Sequence, residues 1–291
     1  MTAPNRRAFL AVAPQYTPTR DLLSAAARRR GLEVEVLPAR GGAGELRGRR
    51  GGHYYGGPGF ASGVVGDLGI ALLEPSDTWL SALPTRYTGR RVVTTDVATA
   101  RALTGPAFIK PPSDKSFPAG VYGGGGAAGL PRDPSPGLPP GLPPDLPPRL
   151  PVQVSEVVGW AAEFRLFVVD GEVRTGSQYA TFGHLDAVPL DGHRHRAAAL
   201  EFADRLLADQ GATLPGAVVV DIGLLSTPDH GTGDNWAVVE ANMAWFSTCY
   251  AAEPDRALDA VLRAAGPRED VPDRDLPFVS PSTVPPTRPH P

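Results

Sequence analysis

Two stretches of alternating residues flank the dipeptide Asp170–Gly171 and predict an antiparallel β-hairpin. An Asp-Gly pair in this setting is typical of a two-residue type I′ turn, which fixes which residues of the two strands face each other. Counting outward from the turn places Arg165 opposite Gly176. Strand alternation then puts three charged residues on one face: Glu163, Arg165 and Arg174. Two interpretations stay open, a solvated face with cross-strand ion pairs or a site with one acid and two arginines.

Two apolar strands further along the chain carry oxygen donors. A strand over residues 217–223 holds Asp221, and a strand over residues 236–242 ends in Glu240 and Asn242. Because Glu240 and Asn242 are two residues apart, they share one face of an extended segment, and the neighbouring strand can bring Asp221 beside them. Two carboxylates and an amide suit Mg²⁺, which keeps several waters and bridges to nucleotide phosphates. The alternative is that these residues only cap turns.

The first hundred residues follow the order of a β-α-β unit. A short buried strand at residues 8–13 precedes a helix at residues 21–30 and an alternating strand at residues 33–37. Two further strands, at residues 92–95 and 107–110, surround a short helix, so Lys110 ends a strand. Ligands meet strand ends in folds of this kind.

Lysine occurs at only two positions, Lys110 and Lys115, and all other cationic side chains except histidine are arginine. This bias indicates that lysine remains where a compact, mobile ammonium is needed, as at a phosphate or acyl-phosphate site. The alternative is that two surface lysines lie close together by accident.

Composition narrows the class of protein. The chain has 291 residues, 42% of them hydrophobic, and a net charge of -3, so it is expected to bury a core and offers no broad basic field for nucleic acid. Cys249 is the only cysteine, which excludes disulfides and cysteine-based zinc sites within one chain. Residues 1–14 fit neither a signal peptide nor a membrane span, which predicts a cytoplasmic protein without a membrane partner.

Proline dominates residues 131–151 and recurs in residues 267–291. The first segment is interpreted as a solvated polyproline II loop that contributes to no core, with a docking ligand for SH3-type domains as the alternative. The second segment is predicted to be a disordered tail.

Several strings in this sequence, taken together and in this order, resemble the ATP-grasp enzymes: Phe108-Ile109-Lys110-Pro111, Val154-Ser155-Glu156-Val157-Val158, Glu163-Phe164-Arg165, and Asp221 followed by Val238-Val239-Glu240-Ala241-Asn242. The chain is more narrowly similar to a clade of that superfamily labelled for two arginines and a lysine. Arg165, Arg174 and a lysine from the segment 110–115 fit that label. The P-loop and the dinucleotide-binding glycine motif are both absent from the sequence.

The resemblance implies a role for each matching residue. Lys110 and Lys115 would contact ATP phosphates, Glu156 would lie beside the adenine or ribose, and Glu163 would be a second acid of the nucleotide site. Mg²⁺ would be held by three residues: Asp221, Glu240 and Asn242. Arg165 and Arg174 would face the transferred phosphoryl group or an acidic substrate, with Lys115 as a third catalytic residue. The glycine run 123–126 is either a phosphate-covering loop or a linker.

The resemblance also implies a fold and a reaction. We expect a mixed α/β and α+β chain with an ATP-grasp fold, in which an N-terminal α/β lobe (residues 1–105) precedes two lobes that close on the nucleotide (residues 106–266). The expected reaction joins a small-molecule or peptide carboxylate to an amine or similar nucleophile through an acyl phosphate, with ATP and Mg²⁺. The alternatives are a nucleotide-binding module or an ATP-grasp protein that modifies nucleic-acid ends.

Overall fold

The computed structural model describes residues 8–112, 117–123, 141–226 and 235–281. The chain divides into two compact units, a first of residues 1–76, 162–222 and 239–291, and a second of residues 77–161 and 223–238. No helix within the described ranges is both long enough and apolar enough to cross a membrane.

A three-stranded parallel sheet opens the first unit and confirms the β-α-β order. This part of the chain contains β1 (Phe9–Val12), α1 (Pro18–Arg29), β2 (Glu33–Val36), β3 (Gly52–Tyr55), α2 (Pro58–Leu68) and β4 (Ile70–Leu72). The order of the three-stranded sheet is β2-β1-β3, and β4 belongs to a separate sheet. The Thr17 side chain accepts a hydrogen bond from the Arg20 amide and so caps α1. Gly69, with φ of 67°, ends α2 in the left-handed conformation that glycine adopts without strain.

The second unit holds an antiparallel sheet with the order β5-β8-β6-β7. Its elements are α3 (Trp79–Ala82), α4 (Thr85–Thr88), β5 (Val92–Asp96), α5 (Val97–Arg101), β6 (Ala107–Lys110), β7 (Gly120–Tyr122) and β8 (Pro151–Ser155). The predicted strand ending at Lys110 is therefore present. The predicted lobe boundary at residue 105 differs from the observed division near residue 76, because β5 pairs with β8 and so joins residues 77–105 to the second unit.

Part of the proline-rich insert belongs to the core of the second unit. Leu142, Leu146 and Leu150 pack against a buried cluster that includes Ile109 and Val152. The Leu150 carbonyl also accepts a hydrogen bond from the Val97 amide at 3.0 Å. The prediction of a solvated loop is wrong for residues 141–150, since their leucines bury apolar surface; residues 131–140 lie outside the described part.

The long hairpin forms with the predicted turn but with a different register. The elements here are β9 (Gly159–Val169), β10 (Glu172–Thr181), β11 (His184–Pro189), α6 (Arg196–Gln210), β12 (Ala217–Ser226) and β13 (Trp236–Asn242), with the sheet order β11-β10-β9-β12-β13. Asp170 and Gly171 have φ of 49° and 83°, as a type I′ turn requires. A bulge at Arg174 then shifts the pairing by one residue, so Arg165 lies opposite Ser177 rather than Gly176.

The C-terminal segment is folded as far as residue 281, which corrects the predicted disorder for residues 267–281. Helix α7 (Pro254–Ala264) leads into β14 (Ala265–Pro267), which pairs antiparallel with β4. Farther on, the buried Asp275 carboxylate accepts a hydrogen bond from the Gly216 amide at 2.7 Å and pairs with Arg263. A buried carboxylate with these partners anchors the segment to the first unit. Residues 282–291 lie outside the described part.

Candidate functional site

Three neighbouring strands of the five-stranded sheet bring charged side chains together in the first unit. Strand β9 carries Glu163 and Arg165, β12 carries Asp221, and β13 ends with Glu240 and Asn242. Glu163 and Arg165 share a face because successive strand residues alternate, and the same holds for Glu240 and Asn242. The convergence predicted for Asp221, Glu240 and Asn242 is therefore present, as the contacts below establish.

The centre of the cluster is a buried ion pair. The Arg165 guanidinium donates from Nε to Asp221 Oδ1 at 2.9 Å and from Nη2 to Asp221 Oδ2 at 2.7 Å. The exposed fractions of the two side chains are 11% and 1%, so water screens this pair little. Burial lowers the pKa of Arg165, but the Asp221 carboxylate outweighs burial and raises it above its ordinary value.

Asn242 joins the two carboxylates that β12 and β13 supply. Its side-chain Nδ2 donates to Glu240 Oε1 at 2.8 Å and to Asp221 Oδ2 at 3.3 Å. Carboxylate and amide oxygens are hard donors of the kind that Mg²⁺ binds, and Mg²⁺ commonly takes one or two carboxylates and completes its shell with water and phosphate. Among the residues that the structure describes, no group of three or more His, Cys, Asp or Glu side chains forms a metal site.

Glu163 adds a third carboxylate to the cluster. Its Oε2 accepts a hydrogen bond from the Tyr179 hydroxyl at 2.8 Å. Burial raises the pKa of Glu163, and the charges of Asp221 and Glu240 raise it further, against the opposing effect of the Tyr179 hydrogen bond. Three carboxylates and one guanidinium leave this group with a formal charge of -2, which one divalent cation would balance. The residues present therefore fit a Mg²⁺ ion.

Two tyrosines lie beside Arg165, and the sequence analysis did not predict their place at the site. The rings of Tyr179 and Tyr250 stack, with centroids 5.1 Å apart and planes 16° apart. The Arg165 guanidinium carbon lies 5.7 Å from the Tyr179 ring centroid and 5.3 Å from that of Tyr250. Tyr250 has φ of 50°, a left-handed conformation that costs a bulky residue free energy and is enriched at functional sites. No local pattern in the sequence signals this conformation.

Arg174 is not part of the cluster, which corrects the prediction that it shares the site with Arg165. Its Nη2 donates to Asp259 on α7 at 3.4 Å, and its Nη1 lies 3.8 Å from Glu172. The side chain is 43% exposed. The physical reason is the bulge at Arg174, because with Ser177 rather than Gly176 opposite Arg165, Arg174 lies one residue farther along the strand from Arg165 than the counted register placed it.

Two of the predicted nucleotide residues lie in the second unit. Lys110 ends β6 opposite Gln153 of β8 and is half-buried. Glu156 follows β8, and its side-chain Oε2 accepts a hydrogen bond from the Arg91 amide at 2.9 Å. Lys115 lies outside the described residues, as does the glycine run beyond Gly123.

A family model identifies the class of protein to which this fold and site correspond. Residues 87–260, more than half of the chain, match an ATP-grasp domain. The matching family is the second family of the ATP-grasp clade labelled for two arginines and a lysine, and the chain belongs to it. This confirms both the resemblance and the expected fold class. No match was found among curated proteins.

Solved structures of low sequence identity are also similar to this chain. A RimK domain ATP-grasp protein from Sphaerobacter thermophilus is 16% identical at a TM-score of 0.48, covering 88% of this chain and 100% of its own. N5-carboxyaminoimidazole synthetase from Staphylococcus aureus is 12% identical at a TM-score of 0.49, covering 91% and 80%. The ATP-grasp ligase PsnB, in a complex with a precursor variant, Mg and ADP, is 13% identical at a TM-score of 0.44, covering 90% and 99%. Identities and TM-scores this low transfer none of their activities.

Proposed function

We propose that this protein is an ATP- and Mg²⁺-dependent ligase that joins a carboxylate to an amine or a similar nucleophile through an acyl phosphate. The observation that carries the proposal is the buried cluster around Asp221, which has a formal charge of -2 and a carboxylate–amide donor set. Membership of the ATP-grasp domain family supports ATP as the phosphoryl donor.

Each cluster residue has a proposed part in holding the nucleotide and its metal. Asp221, Glu240 and Asn242 would hold Mg²⁺, and ATP supplies the phosphoryl group that activates the acid. Lys110 would contact the phosphates as a point charge and Glu156 would lie beside the adenine or ribose. Lys115 is proposed as a further phosphate contact. Glu163 is proposed as a second acid of the nucleotide site.

Arg165 has a positioning role before any phosphoryl group arrives. Its Nε and Nη2 donate to Asp221, and its Nη1 donates to the Thr248 carbonyl at 3.5 Å. The bidentate bond restrains the Asp221 carboxylate, and the Nη1 side of the guanidinium is the part that can meet negative charge developing on the phosphoryl group. The two tyrosine rings restrain the guanidinium itself.

The chemistry assigned to the protein is positioning and charge neutralisation. A substrate carboxylate attacks the terminal phosphorus of ATP, ADP leaves, and the resulting acyl phosphate is captured by the nucleophile with release of phosphate. Excluding water protects the acyl phosphate from hydrolysis. The substrates are proposed to be a small-molecule or peptide carboxylate and an amine-like nucleophile.

The test is to trap the activated acid. The protein is incubated with ATP, Mg²⁺, hydroxylamine and a panel of amino acids, short peptides and small carboxylic acids, and the products are identified by mass spectrometry. We expect a hydroxamate together with ADP, formed only when an acid substrate is present. Glu240→Gln should abolish both products, whereas the matched change Glu201→Gln, at an exposed residue of α6, should leave them unchanged.

Other products would contradict the proposal in distinct ways. AMP with pyrophosphate would indicate an adenylating enzyme, and a phosphorylated hydroxyl would indicate a kinase on the same scaffold. Nucleotide binding without turnover for any acid or nucleic-acid end would indicate a binding module.

A further inference from the structure

A cavity of about 510 Å³ lies in the first unit at the carboxyl ends of β1 and β3. Its wall includes Ala13, directly after β1, and Gly56, directly after β3. The chain leaves β1 through α1 to reach β2 on one side, while β3 lies on the other side of β1 in the same parallel sheet. The cavity therefore lies where the strand order reverses, which is where open parallel sheets bind ligands.

The cavity is lined mainly by apolar and aromatic side chains. Tyr55, Phe60 and Phe246 contribute rings, and Ala13 and Pro58 contribute aliphatic surface. Phe246 keeps 39% of its surface exposed. A volume of this size holds a small organic molecule, and an apolar wall favours one with an apolar body.

The one charged side chain among the residues that line the cavity is already neutralised. Arg20 donates from Nη1 to the carbonyls of Pro14 and Gln15, at 3.0 and 3.3 Å. Its Nε and Nη2 donate to the Asp21 carboxylate, at 3.3 and 3.1 Å. Arg20 therefore already has carboxylate and carbonyl partners, and the other residues that line the cavity carry no charge.

One residue that lines the cavity is close in the chain to the end of β13, which carries two of the proposed metal ligands, and two others are hydrogen-bonded to the segment that follows it. Phe246 follows Asn242 by four residues, so their Cα atoms are at most about 14 Å apart. The Gly56 amide donates to the Trp245 carbonyl at 3.0 Å, and the Tyr55 hydroxyl donates to the Ser247 carbonyl at 3.2 Å. A substrate whose apolar body fills the cavity can therefore extend its reactive group towards the cluster.

We propose that this cavity binds the apolar body of the acid or amine substrate, and that this body is aromatic or branched aliphatic. The assignment rests on the proposed ligase function for the reacting group, but the preference for an apolar body follows from the cavity alone. An amino acid or peptide end with such a side chain is the substrate class that fits both.

Two glycines of α2 allow a matched test. Gly59 lines the cavity, and a Cβ added there meets no atom within 4 Å, so Gly59→Leu adds a bulky side chain to the cavity wall without a clash at Cβ. Gly66 is an exposed residue of the same helix, outside the cavity, with equally open space around it. Gly66→Leu therefore controls for the effect of leucine on the helix.

The experiment measures binding of 4-fluoro-L-phenylalanine by ligand-observed ¹⁹F NMR, with Mg²⁺ and a non-hydrolysable ATP analogue present. We expect the wild-type protein and Gly66→Leu to bind 4-fluoro-L-phenylalanine, and Gly59→Leu to bind it about tenfold more weakly or not at all. L-leucine should displace the fluorinated ligand, whereas L-aspartate and L-lysine should not. Nucleotide affinity, measured by calorimetry, should be equal in all three proteins.

The possible failures are distinguishable. Absence of 4-fluoro-L-phenylalanine binding, equal binding in Gly59→Leu, or displacement by L-aspartate would overturn the cavity assignment. Binding that Gly59→Leu abolishes, in a protein that forms no hydroxamate from any acid, would support the cavity and contradict the ligase reaction. Hydroxamate formed only from acids without an apolar body would support the ligase and overturn the cavity.

Discussion

The ion pair between Arg165 and Asp221 should dominate the stability of the site, and a double-mutant cycle can measure its contribution. Asp221 is fully buried and accepts two hydrogen bonds from Arg165, at 2.9 and 2.7 Å. Removing one partner of such a pair costs about 3–5 kcal/mol because the other charge stays buried without compensation. We therefore expect Arg165→Met to lower the free energy of unfolding by about that amount.

The neighbouring carboxylates make the two single changes unequal. In Arg165→Met, Asp221 keeps its charge beside Glu240 and Glu163 and loses its bidentate cationic partner. In Asp221→Asn, those two carboxylates still attract the guanidinium, so the loss should be smaller, about 2–4 kcal/mol. The double variant should lose at least about 2 kcal/mol less than the sum of the two single losses.

Urea unfolding followed by far-UV circular dichroism gives the four free energies, with the slope m compared across variants. The exposed pair Arg205 and Glu201 of α6, at 2.6 Å, provides a matched cycle that should give only about 0.3–0.5 kcal/mol. Additivity within about 0.5 kcal/mol for Arg165 and Asp221 would refute the reasoning, because it would mean that the two charges do not depend on each other.

Three further predictions concern other residues. Burial and two nearby carboxylates raise the pKa of Glu163, so the folded state binds that proton more tightly than the unfolded state and loses stability as the pH rises through the raised pKa. The Glu163→Gln variant should therefore unfold at a higher temperature than the wild-type protein near pH 7. Thermal scans check the sign, because this difference in unfolding temperature should disappear below about pH 4. Lys110→Ala should weaken ATP binding about 10- to 100-fold in calorimetry, with Lys110→Arg also impaired, and unchanged affinity would remove Lys110 from the site. Asp275→Ala should destabilise the protein by about 3–5 kcal/mol, because it leaves Arg263 and the Gly216 amide without their buried partner. Asp273 is a nearby exposed residue, and Asp273→Ala should change the free energy of unfolding by under about 0.5 kcal/mol. Equal effects of the two changes in urea unfolding would contradict the anchoring of the C-terminal segment.

Sequence reasoning predicted the residues that depend on strand alternation and strand order. Asp221, Glu240 and Asn242 converge because two adjacent strands present them, and both strands are visible as apolar stretches with polar ends. Lys110 was found at a strand end for the same reason. Such patterns are local, so the sequence alone carries them.

The features that the sequence did not reveal depend on tertiary structure. A bulge adds one residue to a strand without changing the pattern of apolar residues, so the position of Arg174 could not be counted from the turn. The left-handed backbone at Tyr250 has no sequence signal. The proline-rich composition of residues 141–150 and 267–281 did not predict that these segments are ordered. Contacts that are not local in the sequence hold them in place, such as those of Leu142 and Asp275.

The most direct test of the account is the dependence of ATP binding on Mg²⁺. Calorimetry measures the dissociation constant of a non-hydrolysable ATP analogue with and without Mg²⁺, for the wild-type protein and for Glu240→Gln. If Glu240 and its neighbours hold the metal against the phosphates, Mg²⁺ should tighten binding of the ATP analogue by at least about tenfold in the wild-type protein and have little effect in Glu240→Gln. Without Mg²⁺, the two proteins should bind the analogue with similar affinity. Equal tightening by Mg²⁺ in both proteins would contradict the assignment of this cluster as the metal site.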